Sequence, residues 1–276
     1  MDYIELNCKI SPKEIWNDVV TAVLADIGFE SFVDTDDGLL AYIPFPLFNI
    51  ENIQNIDILK NSELSFEYKI NKIEDKNWNE EWERNYSPAI IANKCCVRAP
   101  FHLKDDSFEY DIIIEPKMSF GTAHHETTSL MIEQILYLKL DGKSVLDMGC
   151  GTAVLAILAA KKGASTLTAI DNDEWAYNNS IENVKNNNTS FIEVIMGDSK
   201  IIKGEYDFIF ANINRNVLLN DMPDYFTHLK KSGILLLSGF YDSDMPVIKN
   251  KAISLELKLL EYSMKNMWVA MKFINN

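Results

Sequence analysis

The residues best suited to chemistry in this chain of 276 fall in a few short stretches. "SFGTAHHETTS", Ser119–Ser129, brings two adjacent histidines, a glutamate and several hydroxyls together in a chain with only four histidines. His125-Glu126 begins like a zinc-protease helix. Such a helix needs a second histidine four residues after the first, and that position is Ser129. No cysteine or acid pattern elsewhere completes a ligand set, so no metal is expected. Downstream, "VLDMGCGTAVLAILAAKKGA" places Gly149 and Gly151 at a strand-to-helix turn, where a ligand can approach backbone N–H groups at a helix N-terminus. A dinucleotide fingerprint needs a third glycine three residues after the second. Val154 stands there and disfavours NAD.

Three further polar residues close predicted strands. Asp171 in "TAIDND" can accept hydrogen bonds from both ribose hydroxyls of a nucleoside. It could equally cap the helix that follows, although Asp173 can fill that role. "MGDSK" supplies Asp198 and "IFANIN" supplies Asn212. Together with the glycine turn, four successive strand ends converge on one crevice.

The order Asp-x-Gly-x-Gly, Asp147 to Gly151, resembles motif I of class I S-adenosylmethionine methyltransferases, with Ala153 as the third small position. "SFGTAHHETTS" is similar to the FGTGTHPTT motif of the PrmA-type methyltransferases, which modify protein eleven of the large ribosomal subunit. "NWNEEWERNYSPAIIANKCCVRAP", "AIDNDEWAYNNSIENVKNN", "DFIFANI" and "LLLSGF" are similar to that family in order and spacing. The resemblance covers about residues 75–245; before that only size and pattern agree. It implies S-adenosylmethionine contacts at Thr128, Gly149, Gly151, Asp171 and Asn212, with Asp198 near the adenine amine. Phe120, Gly121 and Thr122 would cover the cofactor, and His125 stands at the family's histidine. Departures are Ala123 for Gly, His124 for Thr, Glu126 for Pro, and "EPKMSFG" where Asp-Pro-Gly is usual.

The chemistry so implied is methyl transfer to nitrogen. A sulfonium donor requires neither nucleophile nor metal from the protein, only alignment, and proximity can supply several of the ~7–11 kcal/mol available that way. A lysine amine must first lose its proton, at about 4.6 kcal/mol at pH 7, against about 1.2 for an α-amine. Asn212 can orient the neutral amine without holding it charged; His125 is either a general base or a structural residue of the loop.

The elements that must position these residues follow from periodicity. From Thr122 onward, apolar strands alternate with amphipathic helices, starting with a helix over about 125–139. A doubly wound α/β parallel sheet of seven strands is expected, closed by an antiparallel hairpin from "SLELKLLEYSMKNMWVAMKF". "KCCVRAP" and "SFEYDIIIEP" read as an antiparallel pair. The first seventy residues read βαββαβ, a smaller ferredoxin-like α+β unit, with Ser11 as N-cap and Pro12 at N1 of its first helix. The expected domains are 1–72 for substrate recognition, a linker helix 73–90 with Trp78 and Trp82 on one face, and the methyltransferase domain 91–276.

A formal net charge of −15 repels phosphate backbones and favours a basic protein partner over nucleic acid. No run of eighteen apolar residues occurs and no signal peptide opens the chain, so a cytoplasmic protein without membrane contact is expected. The four cysteines read as reduced core thiols, and a monomer is expected. The expected function is transfer of methyl groups from S-adenosylmethionine to lysine and N-terminal amines of a basic ribosomal protein. Rival readings are another class I protein or small-molecule N-methyltransferase and a non-catalytic S-adenosylmethionine-binding adaptor.

Overall fold

The computed structural model describes residues 2–73, 86–117 and 120–276. The chain forms two compact units, Met1–Asn85 and Tyr86–Asn276. Of the expected linker helix 73–90, residues 74–85, with Trp78 and Trp82, lie outside the described residues; at its ends Ile73 closes one strand and Ala89 opens another, because strand pairing claims both.

The first unit builds from β1 (Tyr3–Ser11), α1 (Lys13–Asp26), β2 (Ser31–Thr35), β3 (Gly38–Pro44), a short α2 (Ile50–Gln54) and β4 (Ser65–Ile73). The sheet is antiparallel in the order β2-β3-β1-β4. Alternate residues of β1 — Ile4, Leu6, Cys8 and Ile10 — pack with Val20 and Leu24 of α1, as the period of two requires. The cap expectation fails here. Ser11 ends β1 in register with Ser65, and Pro12 is the N-cap, without a side-chain bond. Strand pairing claims Ser11 before the helix can.

The second unit opens with a three-stranded sheet, β5 (Ala89–Ile91), β6 (Cys95–Arg98) and β7 (Tyr110–Ile113). β6 and β7 pair parallel, not antiparallel as expected. The stretch 99–109 is long enough to carry the chain back to the starting end. Arg98 fixes that return: its guanidinium bonds Asp111 at 2.7 and 3.0 Å and the His102 carbonyl at 2.8 Å.

Then come α3 (Glu126–Leu136), β8 (Ser144–Met148), α4 (Val154–Lys161), β9 (Thr166–Asp171), α5 (Glu174–Asn186) and β10 (Glu193–Met196). β11 (Tyr206–Asn212), α6 (Arg215–Thr227), β12 (Leu229–Tyr241), α7 (Met245–Ser254), β13 (Leu257–Lys265) and β14 (Trp268–Asn275) complete the unit. The sheet order is β10-β9-β8-β11-β12-β14-β13, parallel through β12 with β14 inserted antiparallel between β12 and β13. Both faces are covered. Phe208 and Phe210 of β11 join the core that includes α3 and α4, while Ile209 and Ala211 join the core that includes α6 and α7. The helix α7 carries no signal read in the sequence; only Ile248 and Ala252 of it are buried. The strand order reverses between β8 and β11, which opens a crevice beyond their carboxyl ends.

Among the described residues no helix is long and apolar enough to cross a membrane, and no cluster of His, Cys, Asp and Glu could hold a metal ion. All four cysteines are free and buried.

Candidate active site

A cavity of about 650 Å³ fills the crevice, within the range usual for small-molecule sites. Its floor is the turn from β8 into α4. Asp147, at the end of β8, is fully buried and accepts from the Ala156 N–H at 3.1 Å. It thereby caps α4 from outside, because Ala153 at the N-cap has no side-chain acceptor. Burial pushes the Asp147 carboxyl up to about 8; the Ala156 bond opposes this and the nearby Asp171 adds to it. The neighbouring Cys150 thiol is also pushed well above its ordinary value, chiefly by burial.

The glycines of the turn make room for protein as well as ligand. Gly149 has φ +63°, and a Cβ there would meet Ile213 Cγ2 at 2.2 Å. Gly151 has φ +54°, and a Cβ would meet the Phe120 carbonyl oxygen at 2.3 Å. The loop Phe120–Thr122 is thus laid directly over the turn. Thr152 binds it twice, from its N–H to Phe120 O at 3.0 Å and from its hydroxyl to Gly121 O at 2.8 Å.

Asp171 at the end of β9 ties this floor to the next strand. Oδ2 accepts from the Gly151 N–H at 2.8 Å, and Oδ1 from the Asp173 N–H at 3.0 Å. Asp173 is the helix cap, accepting from Ala176 N–H at 2.8 Å, which leaves Asp171 to face the cavity. Asp198 closes β10, lines the cavity from an exposed position, and accepts from the Lys200 N–H at 2.9 Å. Asn212 closes β11. Its Nδ2 donates to Thr128 Oγ1 at 3.3 Å, while its Oδ1 is buried without a partner.

Seven of the ten residues expected from the sequence line the cavity. They are Phe120, His125, Gly149 and Gly151, with Asp171, Asp198 and Asn212. Gly121, Thr122 and Thr128 do not line it; Thr128 is buried behind Asn212, and the adjacent Thr127 takes the lining position. His125 is the N-cap of α3. Its Nδ1 accepts from the Thr127 N–H at 3.3 Å and lies 2.8 Å from the Thr127 hydroxyl. With Nδ1 turned to the Thr127 N–H, this ring is engaged in capping the helix.

Sequence reading missed Trp268, at the start of β14. Its ring lies 4.8 Å from His125 and 4.0 Å from Tyr241, and His125 in turn lies 5.1 Å from Phe120. Phe120, His125 and Trp268 form an aromatic wall of the cavity, with Tyr241 packed behind Trp268, so three places far apart in sequence meet there. The only local signal was a tryptophan just after a hairpin turn.

The arrangement fits S-adenosylmethionine. The cavity has a carboxylate at the end of β9, an unpaired amide oxygen, and a floor with no side chain at Gly149 and Gly151. A family model described as ribosomal protein L11 methyltransferase (PrmA) matches residues 23–276. The chain belongs to this family. A family protein of Phocaeicola vulgatus named ribosomal protein L11 methyltransferase is 46% identical over 99% of both chains. One of Chlorobaculum parvum with that name is 37% identical over 88% of this chain and 85% of its own. The crystal structure of a ribosomal protein L11 methylase from Lactobacillus delbrueckii subsp. bulgaricus shares the class I fold. Its TM-score is 0.65 at 22% identity, over 69% of this chain and all of that one.

The family departures now have positions. Ala123 is buried with φ +66°, the left-handed conformation that favours the family's glycine. Glu126 is the first residue of α3, where a carboxylate suits the helix dipole as proline suits the geometry. It also accepts from Asn266 Nδ2 at 3.0 Å, which holds its carboxyl below the usual range. His124 is exposed on the outside of the loop, with Nε2 2.8 Å from the Ser87 carbonyl. Met118 and Ser119 of the "EPKMSFG" departure lie outside the described residues.

Proposed function

We propose that this protein methylates amines of ribosomal protein L11, both lysine side chains and the N-terminal amine, with S-adenosylmethionine as donor. Family membership supports the donor and the substrate protein. The observation that carries the amine reading is Asn212 Oδ1, a buried carbonyl oxygen with no partner at the cavity wall. A buried acceptor of this kind costs roughly 1–3 kcal/mol until something donates to it. A neutral amine has N–H groups to give and a lone pair to keep.

When bound, S-adenosylmethionine would supply an electrophilic methyl carbon for the amine lone pair, with the neutral thioether as leaving group. Asn212 Oδ1 takes one amine N–H and so aims the lone pair. An amide oxygen carries no net charge, so it does not hold the amine as an unreactive ammonium. Phe120 and Trp268 line the same cavity, and aromatic rings there would stabilise the ammonium that develops by ~0.5–1 kcal/mol each. His125 holds the start of α3, and with it Thr128, in place. The amine's proton leaves to water before docking.

The domain organisation in this proposal is substrate recognition by the first unit, catalysis by the second, and a linker between Ile73, which ends β4, and Ala89, which opens β5. The βαββαβ order and β2-β3-β1-β4 sheet support a ferredoxin-like first unit. The net charge of −15 suits a basic ribosomal protein and a cytoplasmic, monomeric enzyme that does not bind nucleic acid directly.

The test is incubation with unmethylated L11 and labelled S-adenosylmethionine, read by intact mass. Successive additions of one methyl mass to L11 are expected. Binding of S-adenosylhomocysteine without any transfer to L11 would refute the substrate and leave the cofactor.

A further inference from the structure

A ladder of asparagines joins α5 to the chain that leads from β7 toward the cavity. Asn179, Asn183 and the C-cap Asn187 are spaced i, i+4, i+8, so they share one face, and all three are buried. Asn187 Oδ1 accepts from the Ile113 N–H at 2.9 Å, and its Nδ2 donates to the Ile113 carbonyl at 2.6 Å. One turn earlier, Asn183 Oδ1 accepts from the Glu115 N–H at 2.8 Å. Between them the Ile114 N–H points the other way, to the Arg98 carbonyl at 2.9 Å. The extended chain thus gives every second N–H to the helix. Four helical residues rise ~6 Å and two strand residues ~6.6 Å, so successive rungs stay in step.

The third rung is open. The next N–H due to reach the helix is that of Lys117, opposite Asn179. It bonds back instead to the Glu115 carbonyl at 2.9 Å, in a tight turn around Pro116. Asn179 is 3% exposed, and among the described residues neither its Oδ1 nor its Nδ2 has a partner. No other described side chain is buried with both polar ends unpaired. A buried amide left in this way is destabilising until its ends are paired. The Lys117 side chain already reaches α5, where its Nζ pairs with Glu182.

Lys117 stands three residues before Phe120, which lines the cavity. Thr152 ties the ladder to the same place. Its carbonyl accepts from Asn183 Nδ2 at 3.1 Å, while its N–H and hydroxyl hold the Phe120 and Gly121 carbonyls. We propose that Asn179 is a positioning residue for the methyl donor. When the cavity is filled, the turn at Pro116 opens and the Lys117 N–H passes from the Glu115 carbonyl to Asn179 Oδ1. Asn179 Nδ2 then donates to the Lys117 carbonyl, as Asn187 does to that of Ile113. The closed rung carries the anchored strand further toward Phe120 and fixes where that ring stands. Glu115 is partly exposed, so solvent can take the carbonyl released by the turn. The ligand selects the closed rung through Phe120, whose position differs between the two arrangements. This rests on S-adenosylmethionine as the ligand of the cavity.

The test compares Asn179→Leu, which keeps the size of the side chain, and Asn179→Ala with wild type. Both variants are expected to bind S-adenosylhomocysteine about fivefold more weakly in calorimetry, the effect of one net hydrogen bond. The KM for S-adenosylmethionine is expected to rise by about the same factor, with the KM for L11 within about twofold of wild type. Ligand-free Asn179→Leu is expected to melt no earlier than wild type, because it removes an unpaired buried amide. Hydrogen exchange over residues 112–117, read by mass spectrometry, is expected to slow on S-adenosylhomocysteine binding in wild type and in neither variant. Slowing that persists in both variants, or unchanged affinity, would overturn the assignment. So would an Asn179→Leu protein that melts earlier yet binds normally. A wild type that does not bind S-adenosylhomocysteine would instead remove the cofactor reading beneath it.

Discussion

Thr128 Oγ1 stands 3.3 Å from Asn212 Nδ2, and this bond decides which end of the Asn212 amide is left unpaired. The hydroxyl accepts from the NH₂ group, so the carbonyl oxygen is the end left over. Thr128 is buried and does not itself line the cavity. Its part in the site is therefore exerted through Asn212.

Thr128→Val keeps the shape and removes that acceptor. The Asn212 amide is then free to turn. Turnover should fall by roughly tenfold, the worth of a net hydrogen bond of about 1–1.5 kcal/mol. Affinity for S-adenosylhomocysteine should change by less than about threefold on the same scale. Steady-state kinetics beside calorimetry separates the two. A loss confined to cofactor affinity would mean that Thr128 touches the cofactor directly.

Asp171 holds the Gly151 N–H as well as lining the cavity, where the proposed function gives it the ribose. Asp171→Ala should therefore lower both S-adenosylhomocysteine affinity, by at least tenfold (~1.4 kcal/mol), and the Tm of the free protein. Asp198→Ala, at an exposed position, should leave the Tm within a degree or two. Equal melting of the two variants would show that the Gly151 bond contributes nothing to the floor.

His125→Asn is the decisive replacement for the capping role, since asparagine is a good N-cap and a poor base. It should retain turnover within about tenfold and leave the pH–rate profile without a lost imidazole limb. His125→Ala should melt earlier, by the ~0.5–2 kcal/mol of a lost cap. Abolished turnover in the asparagine variant, with normal folding, would restore the general-base role.

Asp147 gives a pH signature. Its folded pKa is raised to about 8 from an ordinary carboxylate value. Between those values the unfolded chain binds fewer protons than the native one, so stability is full below about pH 4 and is lost as pH rises toward 8. Asp147→Asn keeps an acceptor for Ala156 N–H but cannot ionise. Its stability relative to wild type should rise by up to ~1.36 kcal/mol per pH unit across that window. Urea melts from pH 4 to 9 check this; parallel curves would mean Asp147 is ionised in the native state.

The chemistry-bearing residues were legible because each lies beside a local signal. Asp171, Asp198 and Asn212 close apolar runs, and Gly149 and Gly151 mark a turn that admits no Cβ. Buried strands between helical repeats have few other ways to pack, so the parallel sheet followed from pattern alone. What tertiary structure decided were pairings and approaches with no local mark. β6 and β7 run parallel because Arg98 and Asp111 secure the return between them, and Ser11 is taken by the strand before it can cap α1. Trp268 reaches His125 only once β14 inserts between β12 and β13. Thr128 rather than Thr127 turns toward Asn212, and Tyr225 meets the cavity because α6 packs its Val217–Asp221–Tyr225 face there. Periodicity fixes which residues share a face of an element; which neighbour that face meets depends on contacts between distant segments, and those form only when the whole sheet is assembled.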